Sequence, residues 1–365
     1  GDVDQATKLA RRASRMARTE GILEREYFAN VTLARVRRYS FHPFLSALII
    51  SALRQVVAPR WRGLVEWEAF FSGLEPQLDE IVAGAPVGRA LRALPAILSA
   101  GQAGDRAPFD RAVAEAREAL GGWMLGLRDL ELLLDCLDPR RIPGLGAAWC
   151  SGAVARPPFR LRATEDAAWT LVVPGRGARR IHDAGVRLLD GDYTVLDPSL
   201  WNKRRRVSQL VTTVALAGDR GIADEEVFEQ IWGFPFVPIK HQAVLRQVVF
   251  RARQTLKGAA ELDRVDGRLR IVPERVFAVV EPAAGPDLRE RVLMALAERD
   301  ASAEETAQRL KVSKRAVQMV LRELVDEGAC ESMKEGRAVR YGVEDTTFQA
   351  PTLDRLTADQ LPGVD

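Results

Sequence analysis

Five side chains within one short stretch of this chain are donors suited to a polyanion. Lys240, Gln242, Arg246, Gln247 and Arg253 lie, with Phe250 and Gln254, on the outward side of a 3.6-residue pattern over 239–258. Its inward positions are Leu245, Val248 or Val249, Ala252 and Leu256. A guanidinium can bond both acceptors of a guanine edge, and a glutamine amide can do the same for adenine, which is the chemistry of major-groove readout. Lys203, Arg204, Arg205 and Arg206 open the helical pattern upstream and could lie along a phosphate strand. Taken alone, that run serves equally well as a solubilising surface. Arg264, Arg268 and Arg270 flank a two-residue Asp266–Gly267 turn and would add phosphate contacts. Further on, Lys314, Arg315, Gln318 and Arg322 face away from Val317, Val320, Leu321 and Leu324, where they can reach a partner.

No pattern for bond-breaking chemistry accompanies these donors. His42, His182 and His241 lie in unlike segments, and none has a partner at zinc-finger or HExxH spacing. His241 falls on the outward helix, where a phosphate or base contact fits better than a metal. The sequence has no GxxxxGKS/T loop and no GxSxG elbow. Gly144, Leu145 and Gly146 lack the third glycine and the preceding strand of a dinucleotide fingerprint. Acidic pairs such as Asp224 and Glu226 suit the positive end of a helix, and Cys136 follows an apolar run as a core residue. The expectation is a protein that is not an enzyme and uses no cofactor or metal.

Composition narrows the class further. With 365 residues, 47% hydrophobic and 28% charged, the chain is an ordinary globular one with room for about two to four domains. The formal net charge is only +3, so a nucleic-acid surface must come from local clustering. Cys136, Cys150 and Cys330 form no CxxC pair and no disulfide framework, which fits a reduced cytoplasm. No apolar run approaches the ~20 residues needed to span a bilayer. The sequence begins at Gly1 without Met and shows no signal-peptide pattern, so an expression scar or a fragment of something longer is expected.

The elements that must position the donors fall into blocks. Residues 1–140 read as helices over 4–20, 23–38, 42–57, 61–73, 86–100, 108–120 and 123–137, each with an apolar stripe. Such helices joined by short turns predict stacked pairs, an α-solenoid. Their alternation of alanine with Leu, Phe and Trp resembles tetratricopeptide-type regulators. The block would offer a concave surface to a protein partner or small effector, or serve as a scaffold that dimerises or positions the rest. Arg11, Arg12, Arg15, Arg18, Arg35, Arg37 and Arg38 are expected on its solvated outer faces.

A Pro/Gly-rich break at 139–146 opens a second block, 147–280. Short β patterns at 168–173, 179–182, 186–189 and 193–196 predict antiparallel sheet. Helices follow at 203–217, 224–233 and 239–258, and then a hairpin over 262–272. This order, with Trp232 and Gly233 ending the second helix and Leu245, Val249, Ala252, Arg253 and Leu256 in the third, resembles the effector domain of OmpR/PhoB-type response regulators. The resemblance implies a winged helix. Residues 201–272 carry thirteen Lys and Arg against eight Asp and Glu, about +5 net.

The third block, 286–345, has helices at 287–299, 302–310 and 313–328. Ser302 and Glu305 stand at capping-box spacing, and Ser313 is a good N-cap. Strands at 329–333 and 338–343 follow. A helix running into a hairpin in this way resembles the winged helix-turn-helix of MarR-, ArsR- and TrmB-like transcription factors. That resemblance implies that Ser313, Lys314, Arg315 and Gln318 face bases or phosphates and that Arg337 and Arg340 sit on the wing. Residues such as Glu304, Glu305, Asp326 and Glu327 leave this block close to neutral, which also suits protein contact. Residues 346–365 are polar and proline-broken and read as a loose tail or a strap over the neighbouring domain.

The expected fold class is therefore mainly α with small β: an N-terminal helical-repeat, solenoid-like domain followed by tandem winged helix-turn-helix domains. The expected function is a cytoplasmic, bacterial-type transcription regulator with no membrane contact. It would bind double-stranded DNA through 239–258, with 313–328 entering a successive groove. The binding of paired half-sites by such readers makes a homodimer through the helical domain a further expectation. The alternative is a protein-interaction adaptor or inhibitor in a signalling or defence pathway, whose winged helices dock proteins. It gains if Glu225, Glu226 and Glu229 neutralise the outward face of 239–258.

Overall fold

The computed structural model describes residues 2–40, 42–81, 85–142, 144, 159, 161, 168–189, 191–196, 205–281, 288–336 and 338–343. Residues 346–365, expected as a tail, lie outside the described residues, as do Lys203, Arg204 and Arg337. The described chain is mainly helical with small sheets. By contacts it divides into two units, and the division does not follow chain order. Residues 1–91, 158–163 and 285–365 form the first unit, and residues 92–157 and 164–284 form the second. The helical block read over 1–140 is thus shared between them.

The first unit opens with α1 (Val3–Glu20), α2 (Leu23–Tyr39), α3 (Pro43–Val56) and α4 (Pro59–Phe71). Asp2 accepts a hydrogen bond from the Gln5 amide at the head of α1 (2.9 Å). Gly21 closes that helix in the left-handed conformation, and prolines start α3 and α4. Tyr27, Val31, Ala34, Ile49, Ile50, Leu53 and Val65 form their common core. The Tyr27 hydroxyl donates to the Val56 carbonyl at 2.9 Å. Burial, with Glu26 beside it, pushes that phenol up to about 12.

Most of the arginines expected on solvated faces are instead held by partners inside this unit. Arg38 and Glu68 are fully buried, with Arg38 Nε donating to Glu68 Oε2 at 3.0 Å. Arg35 Nε reaches the other oxygen of Glu68 at 2.6 Å, and Arg18 Nε holds buried Glu26 at 2.7 Å. Arg11 and Arg37 bond a backbone carbonyl far along the chain, described below. Long arginine stems bury readily along apolar helices, and a guanidinium taken from water must find fixed acceptors. Arg12 and Arg15 remain exposed as expected.

The same unit closes with the end of the described chain. α12 (Leu288–Glu298), β8 (Ala301–Ser302), α13 (Ala303–Leu310), α14 (Lys314–Asp326), β9 (Glu331–Glu335) and β10 (Ala338–Gly342) follow in order. β10 pairs antiparallel with both β8 and β9. Ser302 and Glu305 cap α13 reciprocally: the Glu305 amide donates to Ser302 Oγ, and the Ser302 amide donates to the Glu305 carboxylate and holds it below its usual range. Val292, Leu293, Leu296, Val317, Leu321 and Leu324 form the core of this part, and Leu45 of α3 inserts into it.

Helix α5 (Pro86–Ala103) begins in the first unit and ends in the second. The described part of the second unit continues with α6 (Arg106–Leu120) and α7 (Met124–Leu137), then β1 (Ala168–Val173), β2 (Gly177–Ile181), α8 (Asp183–Arg187) and β3 (Thr194–Leu196). Next come α9 (Arg205–Leu216), β4 (Ile222–Ala223), α10 (Asp224–Trp232), α11 (Pro238–Leu256), β5 (Ala260–Val265), β6 (Arg268–Pro273) and β7 (Phe277–Glu281). One sheet has the order β2-β1-β7-β3, antiparallel except for the parallel pair β3 and β7; the other has the order β4-β6-β5.

Two expectations for this sheet are corrected. The stretch read as a strand at 186–189 begins inside α8, where the His182 ring and the Asp183 carboxylate both accept from the Ala184 amide (3.1 and 2.7 Å). Gly185 is needed there, because a Cβ would stand 2.4 Å from the Leu137 carbonyl oxygen. The wholly antiparallel sheet read from 168–196 is completed instead by β7, an apolar strand from beyond the hairpin, which lies between β1 and β3. Arg106 clasps both oxygens of Asp138 at 2.8 and 2.9 Å. Burial alone would raise the Asp138 carboxyl, but Arg106 holds it below its usual value. No described helix is long and apolar enough to cross a membrane.

The buried carboxylate of Glu68 answers two guanidinium groups, so its removal leaves both with unmet charge. Glu68→Ala is expected to lower stability in urea unfolding by about 3–5 kcal/mol. Adding Arg38→Met to that variant should recover part of the loss.

Candidate nucleic-acid interface

α11 is the longest helix of the second unit that the structure describes in full, at 19 residues, or about 28 Å. Its Leu245, Val248, Val249, Ala252 and Leu256 pack with Leu210, Val211 and Val214 of α9 and with Leu262 and Leu269 of the hairpin. That packing leaves Lys240, Arg246, Gln247, Arg251, Arg253 and Gln254 exposed and Gln242 half-buried. The helix contains no acidic residue. Neither the Arg246 nor the Arg251 guanidinium has a partner among the described residues, and both side chains are exposed.

The hairpin β5–β6 turns at Asp266 and Gly267, both at positive φ, as the two-residue turn requires. Two of its arginines are exposed but already paired with acids. Arg264 Nη2 bonds both oxygens of Asp224 (2.8 and 3.1 Å), and Arg268 Nη2 reaches Glu226 at 3.2 Å. Arg270 is half-buried, with Nε enclosed and unbonded. Arg253 Nε donates to the Leu262 carbonyl at 2.9 Å, tying the end of α11 to the hairpin. The acids at the head of α10 therefore neutralise the wing. They leave the middle of α11 unpaired, while Glu225 and Glu229 stay exposed on α10.

Sequence reasoning missed an aromatic stack at the head of α11. The Phe228 ring lies between Trp232 (centroids 4.3 Å apart, planes 9° apart) and His241 (4.6 Å, 11°). His241 Nδ1 accepts from the Val237 amide at 2.9 Å. His241 is thus a packing residue at the start of the helix rather than a free phosphate or base contact. The Arg206 guanidinium rests 4.8 Å over the Trp232 ring, and Arg205 is exposed. The Trp–Gly ending of α10 was visible in the sequence, but the stacking of both Trp232 and His241 on Phe228 was not. Phe250 is exposed at 61%, on the outward side where the sequence placed it, and Ile239 at 99% and Val244 at 41% are exposed apolar residues of α11 that the sequence did not single out.

The corresponding face in the first unit is less free. Ser313 Oγ accepts from the Ala316 amide at 3.2 Å as the N-cap of α14. Lys314 Nζ bonds Glu304 at 2.7 Å, a contact that holds the Glu304 carboxyl below its usual range. Arg340 donates to the Asp300 carbonyl and pairs with Glu335 and Glu305 at 3.4 and 3.6 Å. Arg315 and Gln318 are exposed, and Arg322 joins them. At the other end of α14, Arg11 Nη2 and Arg37 Nη2 both donate to the Gly328 carbonyl, at 2.8 and 2.5 Å. Glu327 beside it receives Arg289 and lies 3.3 Å from His42 Nε2.

Comparison with protein-family models, with curated proteins and with solved structures finds no match. Among the described residues, no group of three or more His, Cys, Asp or Glu is placed to hold a metal ion.

Phe228 supports the start of α11 from within the stack. Phe228→Ala is expected to cost about 3–5 kcal/mol in thermal or urea unfolding. Phe228→Leu should cost less.

Proposed function

We propose that the chain is a DNA-binding transcription regulator that reads double-stranded DNA with α11. In this reading α9, α10, α11 and the β5–β6 hairpin act as a winged helix, with α11 in the major groove. One observation carries the reading: the exposed face of α11 presents Lys240, Arg246, Gln247, Arg251 and Gln254 with no acidic residue on the helix. These are the side chains that bond guanine, adenine and phosphate edges, set on an element narrow enough to enter the groove. The second winged-helix-like part, around α14, has Lys314 and Arg340 paired within itself and takes a lesser part. Helices α1–α4 serve to receive a partner or effector.

A second reading draws on Ile239 and Phe250. Apolar side chains on that same face suit a protein partner, and the neutralised wing removes the phosphate contacts expected beside it. The chain would then be an adaptor or inhibitor that docks a protein on α11.

Salt dependence separates the two. Each phosphate neutralised contributes about −0.9 to the slope of log K against log salt. Binding to duplex DNA at low salt is expected, and Arg246→Ala/Arg251→Ala should flatten that slope by about 2. Arg264→Ala, whose side chain is tied to Asp224, should leave the slope unchanged. A folded chain that binds no duplex at low salt would overturn the DNA reading in favour of protein docking.

A further inference from the structure

The exposed side chains of α11 are ordered around the helix. Its buried residues Leu245, Val248, Val249, Ala252 and Leu256 define one side. At about 100° per residue, Ala243, Gln247, Phe250 and Gln254 fall within about 40° of the direction opposite to that side. Arg246 lies about 75° to one flank of this line, and Lys240 and Arg251 lie about 45° and 65° to the other. All of these residues are exposed. The outermost line of the helix is therefore apolar and amide, with cations on both flanks. Ile239, also exposed, lies toward the start of the helix on the same side of the line as Phe250.

That order fits a major groove better than a protein surface. The groove is about 12 Å wide and a helix about 10–12 Å across, so an inserted helix has a phosphate strand on each flank. Lys240, Arg246 and Arg251 find no acid on α11. A protein would have to supply carboxylates along both flanks of an apolar line to receive them. Duplex DNA supplies that charge by its construction.

The outermost line of the helix then meets the base edges. In the major groove a base pair offers one apolar group, the C5 methyl of thymine. It lies on the same edge as N6 and N7 of the paired adenine, which a glutamine amide bonds bidentately. Gln247 and Phe250 are about 4.5 Å apart along the helix axis, close to the ~3.4 Å spacing of stacked base pairs. We infer that Phe250 packs against the C5 methyl of a thymine, with Gln247 on a neighbouring adenine, so that α11 selects A·T pairs. The inference rests on the reading of α11 as a major-groove helix and adds the base that it selects.

Replacing thymine by uracil removes the methyl and keeps every hydrogen-bonding group of the base. The preferred duplex is first selected from a random pool with the full chain at low salt, and each thymine is then replaced singly. The unaltered chain is expected to bind about three- to fivefold more weakly when one particular thymine is replaced, the worth of one buried methyl. Phe250→Ala should bind the thymine and uracil duplexes equally, and Phe250→Leu should keep part of the difference. Phe250 is exposed, so both variants should fold as the unaltered chain does, with circular dichroism as the check. Duplex binding in which no thymine is sensitive to replacement would overturn the inference and leave the DNA reading standing. So would a methyl effect that persists undiminished in Phe250→Ala. A folded chain that binds no duplex would overturn both, and would give the apolar line of α11 to a protein partner.

Discussion

The backbone carbonyl of Gly328 fixes how the first unit is built. It stands just past the end of α14, where helix carbonyls lack intrahelical partners and carry the negative end of the dipole. Two guanidinium groups from the opposite end of the sequence, Arg11 and Arg37, converge on it. Arg37 is buried in doing so, and Leu45 follows into the core of Val317, Leu321 and Leu324. Helix α3 therefore contributes to two hydrophobic cores, that of α1–α4 and that of α12–α14. Whatever changes the position of α1 acts directly on the end of α14.

The electrostatics of the two helices with outward donors then diverge for local reasons. On α14 the acids Glu304, Glu305 and Glu335 stand close enough to take up Lys314 and Arg340. In the other unit the acids at the head of α10, Asp224 and Glu226, take up Arg264 and Arg268 of the hairpin. This pairing takes two wing arginines out of phosphate contact. The cationic face of α11 rests on its own composition, which includes no acid.

Much of this was legible in the sequence. Apolar periodicity placed α1–α4, α9–α11 and α14 to within a few residues of their observed limits, because those helices bury one face and solvate the other. Ser302, Ser313 and the Asp266–Gly267 turn marked element ends through bonds made within three residues. Long-range features were hidden. A pattern along the chain does not show that Arg38 will meet Glu68, that Arg264 will meet Asp224, or that β7 will lie between β1 and β3. Arginine was the most misleading residue type, since its long stem buries as readily as it solvates. His241 misled for a related reason: its outward register held, but its ring folded back onto Phe228.

The account stands or falls on what touches the middle of α11. A photo-crosslinking side chain placed at Gln247, which is exposed between Arg246 and Arg251, reports that partner directly in the source cell. Adducts with duplex DNA that disappear on Arg246→Ala/Arg251→Ala are the predicted result. Adducts formed only with a protein, at a site unaffected by nuclease, would contradict it.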